Sequence, residues 1–122
     1  MATLTLQPDE TAGLDTWIDD ANPTTNSGND NRFYVGEINS AVRITRGLIK
    51  FDLSSLPSSI TVSSAILTLV TVDDLADNAR VFDVFEALRA WVELEATWNI
   101  WSTANNWTTA GAGSAGNDYT NT

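Results

Sequence analysis

Two glutamates close to two tryptophans are the first candidates for chemistry. Glu93 and Glu95 lie in the segment 91–98, which begins and ends with tryptophan. Glycoside hydrolysis uses a pair of carboxyl groups at a set separation, one of them acting as a general acid. The alternative is that these carboxylates are exposed or ion-paired beside a core tryptophan. Nothing else in the sequence supports hydrolysis, so we favour the second interpretation.

A polar segment between residues 15 and 30 is rich in side-chain oxygen atoms. Calcium takes roughly 6–8 oxygen ligands, often from loops. The spacing does not match an EF-hand, and Asp and Asn also occur in such segments because they form turns. Both interpretations stay open, and Ca²⁺ is the one cofactor the sequence suggests. Its expected ligands are Asp15, Asp19, Asp20 and Asp30.

The five tryptophans are candidates for contact with sugar. An exposed indole can stack on a sugar ring, whereas a buried indole contributes a large apolar area to a core. We expect Trp17, Trp91 and Trp98 to lie in the core. Trp101 and Trp107 have polar neighbours in the sequence, and they are the predicted carbohydrate contacts.

One N-glycosylation sequon is present. Asn106 begins the triplet Asn-Trp-Thr, whereas Pro23 prevents the triplet at Asn22 from serving as a sequon. Such triplets are common by chance, so Asn106 is a candidate acceptor and no more.

Composition excludes several classes of function. The chain has no histidine and no cysteine, which removes the Ser-His-Asp triad, the commonest zinc ligand and disulfide bonds. The formal net charge is −10, and this charge opposes binding to nucleic acid phosphates and to anionic lipid surfaces. We therefore expect a non-enzymatic protein that binds neither nucleic acid nor membrane.

Alternation of apolar and polar residues predicts a chain made of strands. Residues 60–72 are the strongest prediction, because β-branched residues are dense there. Residues 84–95 also fit a helical period, but we favour a strand followed by irregular structure. No strand is predicted after Trp98. The six predicted strands are residues 2–7, 15–19, 32–37, 42–53, 60–72 and 80–86.

This pattern is typical of an all-β, jelly-roll-like β-sandwich. A length of 122 residues fits one domain. We assign residues 1–109 to the sandwich and residues 110–122 to a tail rich in Gly, Ala, Ser and Asn. A closed jelly roll has about eight strands, so we expect an incomplete sandwich that a neighbouring subunit completes.

Several blocks in order resemble a known family. The ordered series resembles the DNRLRE-domain family, which is found in exported bacterial proteins and is related to alginate-type carbohydrate-binding modules. The resemblance implies a jelly-roll sandwich that binds or displays and does not catalyse, and members usually continue with further strands after the last block. No ligand-binding residue is carried over. The blocks are Asp15-Thr-Trp-Ile18, Asn22-Pro-Thr-Thr-Asn-Ser-Gly28, Val35-Gly-Glu37, Leu48-Ile-Lys-Phe-Asp-Leu-Ser-Ser-Leu-Pro57, Val62-Ser-Ser-Ala-Ile-Leu-Thr-Leu69, Trp91-Val-Glu93, Ala96-Thr-Trp-Asn99 and Trp107-Thr-Thr-Ala-Gly111.

Two functions follow as hypotheses. The main one is a structural subunit that forms an extracellular fibre or decorates a virion capsid, with copies of itself or a capsid protein as partner. Strand exchange would use residues 2–7, with Ala2, Leu4 and Leu6 at the contact. The alternative is a module that binds an extracellular polysaccharide. Either function predicts a location outside the cell or on the virion surface.

Overall fold

The fold is built from strands and turns. A computed structural model describes residues 2–7, 13–38, 43–73 and 81–121, and within these ranges the chain contains no helix. The predicted all-β class is therefore confirmed, and the antiparallel sheets are consistent with a β-sandwich. No helix in the described ranges has the length and apolar character that crossing a membrane requires.

The larger sheet has three antiparallel strands in the order β1-β3-β2. Trp17 of β1 lies opposite Gly47 of β3, and the pairing continues to Gly13 opposite Phe51. β4 and β5 form a separate two-stranded hairpin with an irregular register. The strands are β1 (Gly13–Asp19), β2 (Gly36–Ile38), β3 (Arg43–Phe51), β4 (Ile100–Ser102) and β5 (Asn105–Asn106).

One face of the larger sheet carries the core. Side chains alternate across a strand, so Thr16 and Ile18 of β1 share a face with Leu48 of β3, and all three side chains are buried. Trp91 and Trp107 complete this apolar cluster. The segment that follows residue 90 thus covers the sheet and supplies most of the aromatic area in the core.

The other face is covered by residues 33–35. The Tyr34 ring meets Trp17 edge-on with 4.9 Å between ring centroids. A β-carbon added at Gly47 would lie 2.7 Å from the Phe33 ring, so glycine at this position lets Phe33 pack directly on β3. Both faces of the sheet are therefore covered at its centre.

Three of the six predicted strands form no ladder in the described part of the chain. Residues 2–7, 60–72 and 81–86 pair with no strand in the described ranges, so the strand prediction is wrong for them there. Predicted residues 42 and 80 lie outside the described ranges. Conversely, β4 and β5 were not predicted, since they are short and rich in Asn and Ser.

The expected C-terminal tail packs on the rest of the chain. The Leu88 backbone N–H donates to the carbonyl of Asp118 (2.9 Å), and that of Thr120 donates to Glu86 (2.9 Å). Gly111 is buried. The domain boundary between residues 109 and 110 stays a prediction, and the structure adds that its two sides are in contact.

Two glycines offer a matched test of this packing. Gly111 and Gly116 both have positive φ angles, of 77° and 80°, but a β-carbon at Gly111 would lie 2.5 Å from the Trp98 ring, whereas one at Gly116 meets nothing within 4 Å. We expect Gly116→Ala to lower the free energy of unfolding by about 1 kcal/mol through backbone strain. Gly111→Ala should lower it by about 3 kcal/mol, because overpacking adds to that strain. Urea unfolding measures both, and equal losses would contradict this account.

Candidate functional site

A buried carboxylate anchors the C-terminal part of the chain. Asp118 is inaccessible to solvent and accepts hydrogen bonds from the backbone N–H groups of Thr108 (2.9 Å), Thr109 (3.1 Å) and Ser114 (3.1 Å). Arg89 Nε donates to it at 3.3 Å. Burial raises the pKa of Asp118, but the backbone hydrogen bonds outweigh it and hold that pKa below its ordinary value. The charged carboxylate therefore stabilises the turns between residues 108 and 118.

A second set of contacts connects the polar loop after β1 to residues 93–99. The side-chain amide of Asn26 donates to the carbonyls of Glu93 (2.7 Å) and Ala96 (2.8 Å). A β-carbon at Gly28 would collide with the Glu93 carbonyl. The backbone N–H of Asn99 also donates to the Pro23 carbonyl (3.2 Å). The turn at residues 92–95 is thus held in place from the side of β1.

A groove runs between this turn and the larger sheet. A hollow of about 530 Å³ lies between residues 90–95 and the side chains of Leu14 and Lys50. A second hollow of about 460 Å³ adjoins it, because it is also lined by Leu14 and Lys50, together with Gly13 and residues 51–53. We call the two hollows together the Lys50 groove. Each hollow is within the range of roughly 300–1,000 Å³ that is usual for ligand sites.

The acidic side chains near the groove have defined partners. Glu93 Oε1 accepts a hydrogen bond from the backbone N–H of Asp15 (2.9 Å), and Glu95 Oε2 accepts one from Thr103 (2.7 Å). Burial, and then the negative charge of Glu93, raise the pKa of Asp15. Both glutamates thus hold backbone groups in place. They are half-buried, whereas we had expected exposed or ion-paired carboxylates beside a core tryptophan.

The tryptophans are distributed differently from the prediction. Trp17 and Trp91 are buried, as expected. Trp98, expected in the core, and Trp101, expected to be exposed, are both partly buried and pack against the core. The guanidinium of Arg46 lies 5.5 Å from the centre of the Trp98 ring.

Trp107 corrects the expectation of an exposed ring. It is only 4% exposed and belongs to the core cluster. Its indole N–H donates to the Thr97 carbonyl at 2.9 Å, so the polar edge of the ring is satisfied inside the protein and the whole side chain can be buried. Trp107 is therefore not placed to stack on a sugar, and Trp101 stays the predicted aromatic contact.

Three of the four aspartates proposed as calcium ligands have carboxylates that bond to protein groups. Asp19 pairs with Arg43 at 2.6 Å, and the hydrogen bond from Arg43 holds the pKa of Asp19 below its ordinary value. Asp20 accepts a backbone hydrogen bond from Ile44 (2.8 Å), and Asp30 accepts one from the Trp17 indole (2.8 Å). The part of the chain that the structure describes contains no group of three acidic residues that could hold a metal ion. The predicted four-aspartate site is not assembled there.

Asn106 is exposed in β5. Glycosylation at this residue stays a prediction.

Comparison with known proteins identifies the family. The model of carbohydrate-binding module family 96 matches residues 7–120. The chain belongs to this family. Searches of curated proteins and of solved structures found no match. The narrower DNRLRE assignment is not confirmed. Membership of a family of binding modules supports the expectation of a non-catalytic protein, and it favours carbohydrate binding over the fibre or capsid subunit that was our main hypothesis.

Sequence reasoning did not find the Lys50 groove. Leu14 and Lys50 lie opposite each other in the pairing of β1 with β3, and the turn at residues 92–95 reaches them from far along the chain. Alternation in β1 and β3 could have placed Leu14 and Lys50 on one face. No local signal indicates that the turn lies beside them.

Asp118 gives a prediction about pH. Its pKa is lower in the folded protein than in the unfolded chain, so its contribution to stability is present at neutral pH and is lost as the pH falls from about 4 through the folded-state pKa. We expect Asp118→Asn to lower the free energy of unfolding at pH 7 by about 3 kcal/mol and to remove part of the acid sensitivity. Thermal unfolding at a series of pH values measures both. Asp83→Asn is the control, because that carboxylate is exposed, and an equal effect from it would refute the role of burial.

Asp15 separates the calcium hypothesis from its alternative. Its folded-state pKa is raised, so ionised Asp15 opposes folding at neutral pH. Without a bound metal, Asp15→Asn should raise the melting temperature at pH 7, and the gain should disappear once the pH falls below the unfolded-state pKa. Asp83→Asn, in an exposed position, should change nothing. A wild-type melting temperature that rises with added calcium, in a manner abolished by Asp15→Asn, would restore the metal site.

Proposed function

We propose that the chain is a non-catalytic module that binds an extracellular polysaccharide in the Lys50 groove. The observation that carries this proposal is the family match across residues 7–120. The groove supports it as a shallow, open depression between the larger sheet and the turn at residues 92–95.

The lining of the groove suits a sugar chain. Leu14, Val92 and Leu94 offer apolar surface to the C–H faces of sugar rings, and the Leu94 side chain is 58% exposed. The Lys50 ammonium can donate up to three hydrogen bonds to hydroxyl oxygens, and Asp52 can accept hydrogen bonds from hydroxyl groups. An apolar floor with a few polar groups is the usual composition of a ligand site.

The shape of the groove favours a polymer over a single sugar. Its two hollows share Leu14 and Lys50, so they follow one another along the ends of β1 and β3. A chain of sugar units can occupy both hollows at once, whereas a monosaccharide fills one.

The hydrogen bonds of the two glutamates in the groove support binding without hydrolysis. Glu93 and Glu95 line the groove, and each accepts a backbone hydrogen bond. A carboxylate that holds the fold in this way is a poor candidate for proton transfer to a glycosidic oxygen. A location outside the cell remains part of the proposal, since that is where such a polysaccharide would be met.

Affinity electrophoresis in gels that contain one polysaccharide each tests the proposal. We expect wild-type protein to be retarded by at least one neutral or acidic glycan, and we expect Lys50→Ala to weaken that retardation about tenfold or more, because a hydrogen bond to a charged group is worth roughly 1.5–3 kcal/mol. Arg32→Ala is the control, since Arg32 is exposed and does not line the groove. All variants should keep the wild-type melting temperature.

Trp101→Ala tests the rival location in the same gels. Because Trp101 also packs against the core, circular dichroism must first show that this variant is folded. If the folded variant is not retarded and Lys50→Ala still is, the sugar binds at Trp101 and the groove assignment is wrong. Wild-type protein that no glycan of plant, algal or bacterial origin retards would refute carbohydrate binding itself.

A further inference from the structure

A segment rich in apolar residues lies exposed on the surface. We call residues 60–72 the open strand. It forms no ladder with the other described residues, and its one backbone–backbone hydrogen bond to them is from Ile60 N–H to the Pro57 carbonyl (3.2 Å). Ile66 is 87% exposed and Val70 is 80% exposed. Unpaired backbone groups beside exposed apolar side chains are the features of a strand that can accept a partner.

Many large apolar side chains of the open strand are exposed. Seven of them are between 45% and 87% exposed. In a strand conformation five of these would point to one side and two, Leu67 and Leu69, to the other, so the first side is the more apolar one. The seven side chains are Ile60, Val62, Ile66, Leu67, Leu69, Val70 and Val72.

A second segment has matching properties. Residues 2–7 also form no ladder in the described part of the chain. Leu4 is 52% exposed, and in a strand conformation Ala2, Leu4 and Leu6 would fall on one side because side chains alternate. This segment therefore offers apolar side chains and backbone groups that could pair with those of the open strand.

Charge restricts where two copies can meet. The net charge of −10 makes copies repel each other. No charged residue occurs in residues 2–7 or between Asp52 and Asp73. A contact between these two segments brings no carboxylates together, so it is a contact that two copies of this acidic chain can form at little electrostatic cost.

We propose that residues 2–7 of one copy pair as a β-strand with the open strand of a second copy. Main-chain hydrogen bonds would supply affinity, and the alternate apolar side chains would fix the register. The two surfaces are different, so the contact is heterologous and repeats along a row of molecules unless it closes into a ring.

A pair of charge variants tests this arrangement. Leu4→Asp blocks the donor segment and leaves the open strand intact, whereas Val70→Lys blocks the open strand and leaves the donor intact. Analytical ultracentrifugation should show wild-type protein sedimenting faster as its concentration rises, and each variant alone sedimenting as a monomer. An equimolar mixture of the two variants should form a heterodimer that grows no further, because one intact donor meets one intact open strand.

The same ultracentrifugation experiment includes a control variant, and two of its possible outcomes would refute the proposal. Val84→Lys, at a position 73% exposed outside both segments, should sediment like wild type. A Leu4→Asp variant that still dimerises would show that open strands pair with each other and would refute the proposal. A wild-type protein that stays monomeric at all concentrations would refute it as well.

A second readout covers the case in which a variant does not fold. Hydrogen exchange of the wild-type backbone amides in residues 60–72 should slow by tenfold or more between dilute and concentrated samples. Exchange rates there that are independent of concentration would overturn the proposal without any variant.

Discussion

The ionised Asp118 carboxylate is the constraint on which the C-terminal half depends. A buried charge is costly unless hydrogen bonds replace its hydration, so the chain must bring three backbone N–H groups to this one side chain. Doing so shapes the turns that place Gly111 against Trp98. Arg46 then reaches across from β3, with its guanidinium over Trp98 and a hydrogen bond to the Gly111 carbonyl. One carboxylate thereby connects the last residues of the chain to the larger sheet.

Residues in the blocks that carried the resemblance mostly build the fold. Asn26 and Gly28 fit the loop to the backbone at residue 93, Trp107 bonds to the Thr97 carbonyl inside the core, and Gly111 makes room for an indole ring. Buried backbone groups need hydrogen-bond partners and the core must be closely packed, so these residues are required whatever ligand is bound. The groove shares some of these residues, since Trp91 lies in the core and Glu93 bonds to the backbone of β1. Exposed lining residues such as Leu94 and Lys50 are freer to vary, so ligand preference can change at these positions without changing the fold.

The parts of the fold that follow from local pattern could be predicted, and the parts that follow from distant contacts could not. The alternation of apolar and polar residues predicted the bounds of β1 and β3 to within a few residues. The open strand was the strongest prediction, yet a ladder also needs a neighbour, which the residues of one segment do not specify. Trp107 looked exposed because its sequence neighbours are polar, but a carbonyl ten residues earlier satisfies its N–H. The groove was missed for the same reason, since the turn at residues 92–95 meets β1 through tertiary contacts alone.

The groove and the open strand are close in the sequence, and this bears on how the two would act together. Leu53 lines the groove and begins the uncharged stretch that leads to the open strand. A single groove on a small module holds few sugar units, and the affinity available from so few contacts is modest. Copies arranged in a row through the open strand would present one groove each to the same polysaccharide, and every groove after the first would bind at a raised effective concentration. Repetition of the module would then supply the affinity that one groove lacks, so assembly and carbohydrate binding need not be rival functions for this chain.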